Sequence, residues 1–276
     1  MSEQWGTHGV EVLDDRVVKR FRSAADGEPG REWRALSLLA EHCPGLAPEP
    51  LAADLAGPVP AVVMGRLPGT PLRGGPVSRG QAAALAGVLT RMHTEVPGAV
   101  VERLPVRLWG EHHAARGIRE RYATVRGAEP GWLSAEVRRA VEDGMHWLGR
   151  TALATGEPGA GVPAVFGQAD GNLANYLWDG ARVRVVDFED SGRSDRAYEL
   201  ADVVEHVSVW VDSDFDVPHF LGCFELTEGE ARRLAECRRL LALLWLLVLG
   251  LQDPAEGRNP AGTAERQARR LLELLG

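Results

Sequence analysis

The stretch that most constrains this chain runs Val165-Phe-Gly-Gln-Ala-Asp-Gly-Asn-Leu-Ala-Asn-Tyr-Leu-Trp-Asp-Gly-Ala-Arg-Val-Arg-Val-Val-Asp-Phe-Glu-Asp190. Four residues separate Asp170 from Asn175, and Asp187 follows twelve positions after Asn175. Asp179-Gly180 lies between apolar runs, which predicts a β-hairpin closed by a two-residue type I′ turn. Pairing outward from that turn sets Trp178 opposite Ala181 and Asn175 opposite Arg184. Asp187 then falls at the open end of the hairpin, beside the loop that holds Asp170. Alternation along the strand puts Val183, Val185 and Asp187 on one face. A carboxylate that ends an apolar row needs a partner, and a bound cation is one. Taken singly, Asp and Asn are ordinary turn formers. Their joint spacing is what points to handling of protons and metal.

Composition narrows the setting. The chain has 276 residues, 45% of them hydrophobic, enough for one large domain or two modest lobes. Its net charge of −8 and pI near 5.6 argue against a nucleic-acid partner, which would need a basic face. Cys43, Cys223 and Cys237 are odd in number and irregularly spaced, as expected of reduced thiols in a cytoplasmic protein. Met1-Ser-Glu-Gln-Trp is neither basic nor apolar, so no secretory signal is expected. The longest apolar run, Leu240 to Leu251, is too short for a bilayer and reads as a buried helix; no membrane association is expected.

Of thirty-one basic residues only Lys19 is a lysine. Lysine differs from arginine where a compact charge must meet a phosphate. Lys19 falls in the second of two predicted strands, His8–Leu13 and Arg16–Phe21, around Asp14-Asp15. A helix is expected from about Arg31 to His42. On it Glu32, Leu36 and Leu39 share a face, so Glu32 is in phase with the buried stripe and wants a cation. The plainer reading is a first-turn acid complementing the helix dipole. Further helices are expected at 78–94, with a Ser78/Gln81 capping box and a Leu85, Leu89, Met92 stripe, and at 106–126. Others are expected at 134–153, with Ser134 as N-cap, from Thr227/Glu230 to Leu249, and at 264–275.

The Gln168-Ala169-Asp170 to Asn175 segment, with Asp187-Phe188, resembles the catalytic segment of the aminoglycoside phosphotransferase and choline kinase-like family, which is similar in fold to protein kinases. Members usually read H-G-D-x-x-x-x-N, and here Gln168 stands for the His. Val17-Val18-Lys19 resembles the family's V-x-K strand, and Tyr198-Glu-Leu-Ala201 its Y-D-L-A, with Glu199 for the Asp. The resemblance implies an α+β, two-lobed protein kinase-like fold. Residues 1–66 would form an abridged, mostly β nucleotide-binding lobe, and 67–276 a larger, mostly helical catalytic lobe. It implies a Mg2+-dependent kinase moving the γ-phosphoryl group of ATP or GTP to a hydroxyl of a small molecule. Asp170 would take the hydroxyl proton, Asn175 and Asp187 would hold magnesium, and Lys19, oriented by Glu32, would bind the phosphates. Met64 and Gly65, in the hinge-like Ala61–Leu72 stretch, would meet the base. Only Gly6 and Gly9 are available for a phosphate loop. His93 reads as structural.

The acceptor is expected among acidic and aromatic residues of the larger lobe: Glu189, Asp190, Asp195, Glu205, and Trp210 beside the Asp212–Asp216 loop. These would suit an amine-bearing molecule, although acidic loops commonly just face water. A nucleotide-binding scaffold without turnover is the alternative, favoured by the short phosphate loop, Gln168 and Glu199. A protein kinase is disfavoured, since no A-P-E segment follows Asp187.

Overall fold

A computed structural model of the chain describes residues 8–23, 27–128, 131, 133–154, 162–252 and 259–276. The phosphate-loop candidate therefore lies outside the described residues except for His8 and Gly9.

Two β-branched runs around Asp14-Asp15 form the hairpin β1 (Gly9–Val12) and β2 (Arg16–Arg20). Helix α1 (Glu28–His42) follows, then β3 (Pro50–Asp54) and β4 (Ala61–Gly65). The four strands make one antiparallel sheet in the order β1-β2-β4-β3. Lys19 pairs across to Val10 and Val62, and its side chain is buried on the same side as Val62 and Met64. Helix α1 begins three residues before the expected start, because Gly27 takes a left-handed N-cap and Pro29 suits a first turn. β3 gave no sequence signal: Pro-Leu-Ala-Ala-Asp lacks β-branched and aromatic residues and occupies an exposed sheet edge.

Past β4 the chain crosses by β5 (Thr70–Pro71) into a mostly helical region. Helices α2 (Arg79–Glu95), α3 (Gly98–Val101), α4 (Glu111–Ala128) and α5 (Ala135–Leu148) come first. The catalytic-loop candidate is framed by β6 (Ala164–Gly167), β7 (Tyr176–Trp178), β8 (Val183–Val185) and β9 (Gly192–Asp195). After these come α6 (Arg196–Glu205), α7 (Val217–Leu221), α8 (Glu228–Gly250) and α9 (Thr263–Leu275). A small antiparallel sheet with one helix therefore sits on a larger helical part, as expected.

The capping boxes at Ser78/Gln81 and Thr227/Glu230 and the Ser134 cap form as read from sequence. Leu85, Leu89 and Met92 are buried, and α8 carries Leu240, Leu243, Leu246 and Leu247 into the core against α4, α6 and α9. Residues 106–110 are not helical. Val106 bridges to Arg193, and Trp109 stands at φ 54°, so α4 starts only at Glu111. Among the described residues no helix is long and apolar enough to cross a membrane.

The expected two-residue hairpin turn is corrected. Trp178 faces Val183 and Leu177 faces Arg184, so the loop has two residues more than a tight turn. Asp179 accounts for the difference: its Oδ1 accepts from the N–H groups of Ala181 and Arg182 at 2.9 and 3.0 Å, building an Asx turn. A two-residue shift keeps every side chain on its expected face.

His93 lies buried on α2, with no hydrogen-bond partner for either ring nitrogen among the described residues. Burial lowers its pKa from 6.5 to about 4. A histidine depressed in this way supports the fold above the unfolded value and loses that support as pH falls from 6.5 toward 4. At pH 5 the loss should be on the order of 2 kcal/mol. Melting temperature should therefore drop between pH 7 and pH 5, and His93→Gln should flatten that slope. An unchanged slope in the variant would place the acid sensitivity elsewhere.

Candidate active site

The site begins with one buried ammonium. Lys19 Nζ lies 3.0 Å from Glu32 Oε2, 2.5 Å from Asp187 Oδ1 and 2.6 Å from Glu189 Oε2. Burial alone would lower the Lys19 pKa, but the three carboxylates outweigh it and hold the group protonated. Helix phase carries Glu32 into the core, where burial pushes its carboxyl up and Lys19 opposes that push. Glu189 is pushed up to about 7 by burial and by the Asp187 charge. Asp190 also stands at about 7, through burial and then Glu189 and Asp170. Three carboxylates with ligand oxygens within 4.8 Å of one another thus face a single ammonium, an excess of negative charge that a divalent cation would relieve.

Asp187 does not continue the β8 row as expected. The strand ends at Val185, and Asp187 turns to φ 68°. Its neighbours fix that turn: Val186 N–H donates to Asn175 O at 2.9 Å, Gln168 Nε2 donates to Asp187 O at 2.7 Å, and Phe188 N–H donates to Glu32 Oε2 at 2.9 Å.

Asp170 is gripped from its own loop. Asn172 N–H donates to Oδ1 at 3.0 Å and Asn175 Nδ2 donates to Oδ2 at 2.8 Å. With its nitrogen engaged by Asp170, the Asn175 amide could offer its oxygen to a cation. Burial and the Asp187 charge raise the Asp170 pKa. Gln168 accepts from Asp170 N–H at 3.1 Å while donating to the Asp187 carbonyl, so the residue in the usual His position joins the two acidic segments.

Lys19, Asn175 and Asp187 line two adjoining hollows. One, of about 330 Å3, is walled by Val17, Met64, Gly65, Leu67 and Leu177. The other, of about 480 Å3, is walled by Asp170, Asn172, Glu189 and Asp190, with His8 and Arg73. Met64, Gly65, Glu189 and Asp190 are thereby brought to the cleft. Glu205 and Trp210 are not. Glu205 is fully buried and spends both oxygens on Arg238 of α8, at 2.7 Å, and Arg270 of α9, at 3.0 Å. The Trp210 ring is covered by Arg266 and Arg270, with their guanidinium carbons 5.0 and 5.9 Å from its centre. Asp195 caps α6 and pairs with Arg233, while Asp212 and Asp216 face Arg73 and Arg79. Sequence reading had missed Arg107, a buried guanidinium bonded to Glu199 and Asp202, because nothing in a lone Arg between Val106 and Leu108 marks it.

The family model of the phosphotransferase enzyme family matches residues 2–237. The chain belongs to that family. Its fold is similar to that of a choline/ethanolamine kinase family protein from Mesorhizobium loti, at 19% identity and TM-score 0.65, covering 99% of this chain and 86% of that one. Choline kinase LicA from Streptococcus pneumoniae is similar at 16% identity and TM-score 0.57, with 100% and 91% covered. The GDP complex of aminoglycoside 2'-phosphotransferase-IIIa is similar at 14% identity and TM-score 0.62, with 100% and 91% covered. No curated protein sequence matches the chain. The phosphotransferase is thus small-molecule kinase-like in architecture, with its acidic cleft where sheet and helical part meet.

Glu205→Gln tests the reassignment of that residue. Removing one partner of a buried ion pair should cost on the order of 3 kcal/mol in a denaturant melt, while nucleotide affinity by calorimetry stays at the wild-type value. A stable variant with altered ligand affinity would return Glu205 to the cleft.

Proposed function

We propose that this phosphotransferase moves the γ-phosphoryl group of a nucleoside triphosphate to a hydroxyl of a small, amine-bearing acceptor. The observation that carries the reading is the meeting of Lys19, Asp170, Asn175 and Asp187 where the two hollows join. The hollow beside Met64 and Gly65 is partly apolar and suits a nucleoside; we assign residues up to about 66 to that lobe. The solved relatives bound to ADP and GDP support a nucleotide donor. The other hollow offers Glu189 and Asp190 to an acceptor's ammonium group.

Each residue has a physical task. Lys19 meets the phosphates as a point charge, held by Glu32. Asp170 accepts a hydrogen bond from the acceptor hydroxyl and takes its proton as the oxygen attacks. Its raised pKa suits a group that must hold that proton. Asn175 and Asp187 would hold magnesium through their side-chain oxygens. Bound there, the cation would neutralise charge on the transferring group. Gln168 and Glu199, the departures that kept a turnover-free scaffold open, both make bonds that support the Asp170 loop. This favours an active enzyme.

Asp170→Asn should lower transfer by a hundredfold or more, with nucleotide affinity within a few-fold. Loss of nucleotide binding in the folded variant would overturn its role. Lys19→Arg keeps the charge but cannot fit a planar fork among three carboxylates. Turnover should fall at least about tenfold, roughly 1.4 kcal/mol of barrier, in a variant that stays folded by circular dichroism although it melts lower. Steady-state rates equal to wild type would remove Lys19 from the phosphates.

A further inference from the structure

Ala169, next to the proposed proton acceptor, has φ 76°. A residue with a Cβ disfavours this left-handed conformation and keeps it only where neighbours over-determine it. Here one ion pair holds both of its backbone groups. The N–H donates to Glu199 Oε2 at 3.2 Å, and the C=O accepts from Arg107 Nη2 at 3.0 Å. Arg107 and Glu199 are joined at 2.6 Å. Arg107 also donates to Asp202 Oδ2 at 2.7 Å and to Leu108 O at 3.0 Å, and it lies over the Tyr198 ring. The Arg107 guanidinium is thus fixed from several sides. Neither Arg107 nor Glu199 lines the cleft, and the hydrogen bonds by which both reach the Asp170 loop go to Ala169.

We propose that the Arg107–Glu199 pair is a positioning clamp: it locks Ala169 left-handed and thereby sets where Asp170 presents its carboxylate. The inference rests on Asp170 being the proton acceptor. Released from the clamp, Ala169 relaxes toward an ordinary backbone conformation. The rotation is passed to Asp170, whose bonds from Asn172 and Asn175 then lose alignment. Glycine at 169 would adopt the left-handed conformation without the steric penalty that a Cβ brings. The clamp therefore matters because this position carries a methyl group.

The test couples the two positions. Arg107→Lys keeps a cation for Glu199 and Asp202, but one ammonium cannot reproduce the fork that also reaches Ala169. Amide hydrogen exchange over residues 167–175 should quicken by about tenfold or more, while α9 stays at its wild-type rate. Turnover of magnesium ATP and magnesium GTP is measured with choline and with spectinomycin as acceptors. kcat should fall about tenfold or more, with nucleotide KM within about threefold. In an Ala169→Gly background the same Arg107→Lys change should cost markedly less of both. Equal losses in the two backgrounds, or a lowered melting temperature with exchange in 167–175 unmoved, would make the pair a fold brace only. Should Arg107→Lys not fold, Glu199→Gln is read the same way. If neither acceptor turns over, exchange at 167–175 decides alone. Turnover retained in Asp170→Asn would overturn the proton-acceptor reading, and the exchange result would still judge the clamp.

Discussion

Glu32 Oε2 accepts from Lys19 Nζ at 3.0 Å and from Phe188 N–H at 2.9 Å, and the side chain is shut off from water. That one oxygen ties the central strand of the sheet, the helix beside it and the segment after Asp187. An ionised carboxylate in such surroundings is tolerable only when its partners arrive with it. The two parts of the molecule are therefore held in register by charge as well as by apolar packing. The backbone turn at Asp187 follows from this, since Phe188 must aim its N–H at Glu32 while Gln168 takes the preceding carbonyl.

A second charged assembly performs the same service below the cleft. Arg107 reaches Glu199 and Asp202 on α6, and Arg233 on α8 joins Asp195 to Glu111 at the start of α4. Arg238 and Arg270 meet on Glu205, where α6 ends against α8 and α9. The planar, multidentate guanidinium groups of Arg107, Arg233 and Arg270 each satisfy more than one acceptor at once. The abundance of arginine in this chain thus has a structural outlet, distinct from the task given to its lone lysine.

How much was legible in the sequence depended on the range of the cause. Helix caps are local, so Ser78, Ser134 and Thr227 could be read directly. Periodicity is also local, and it placed Glu32 in the core beside Leu36 and Leu39 before any partner was known. The D-x-x-x-x-N spacing with Asp187 located the cleft. The hairpin was recognised but its register slipped, because the Asp179 side chain, rather than the Asp-Gly backbone, shapes the loop. Glu205 and Trp210 were misread because acidity and aromaticity along a sequence do not reveal which way a helix faces. Arg107 was invisible for the opposite reason: its partner Glu199 lies 92 positions away, and no spacing rule connects them.

Placing the sole lysine in the cleft also empties the rest of the surface of ε-amines. The side chain of Lys19 is 8% exposed and is engaged by three carboxylates. Enzymes that acylate lysines or attach protein tags to them meet no accessible side-chain target on the folded molecule. Amine-directed surface coupling or cross-linking would likewise leave its side chains untouched. Unfolding exposes that amine, so modification of the Lys19 side chain, told apart from the α-amino group by peptide mapping, reports the opening of the cleft.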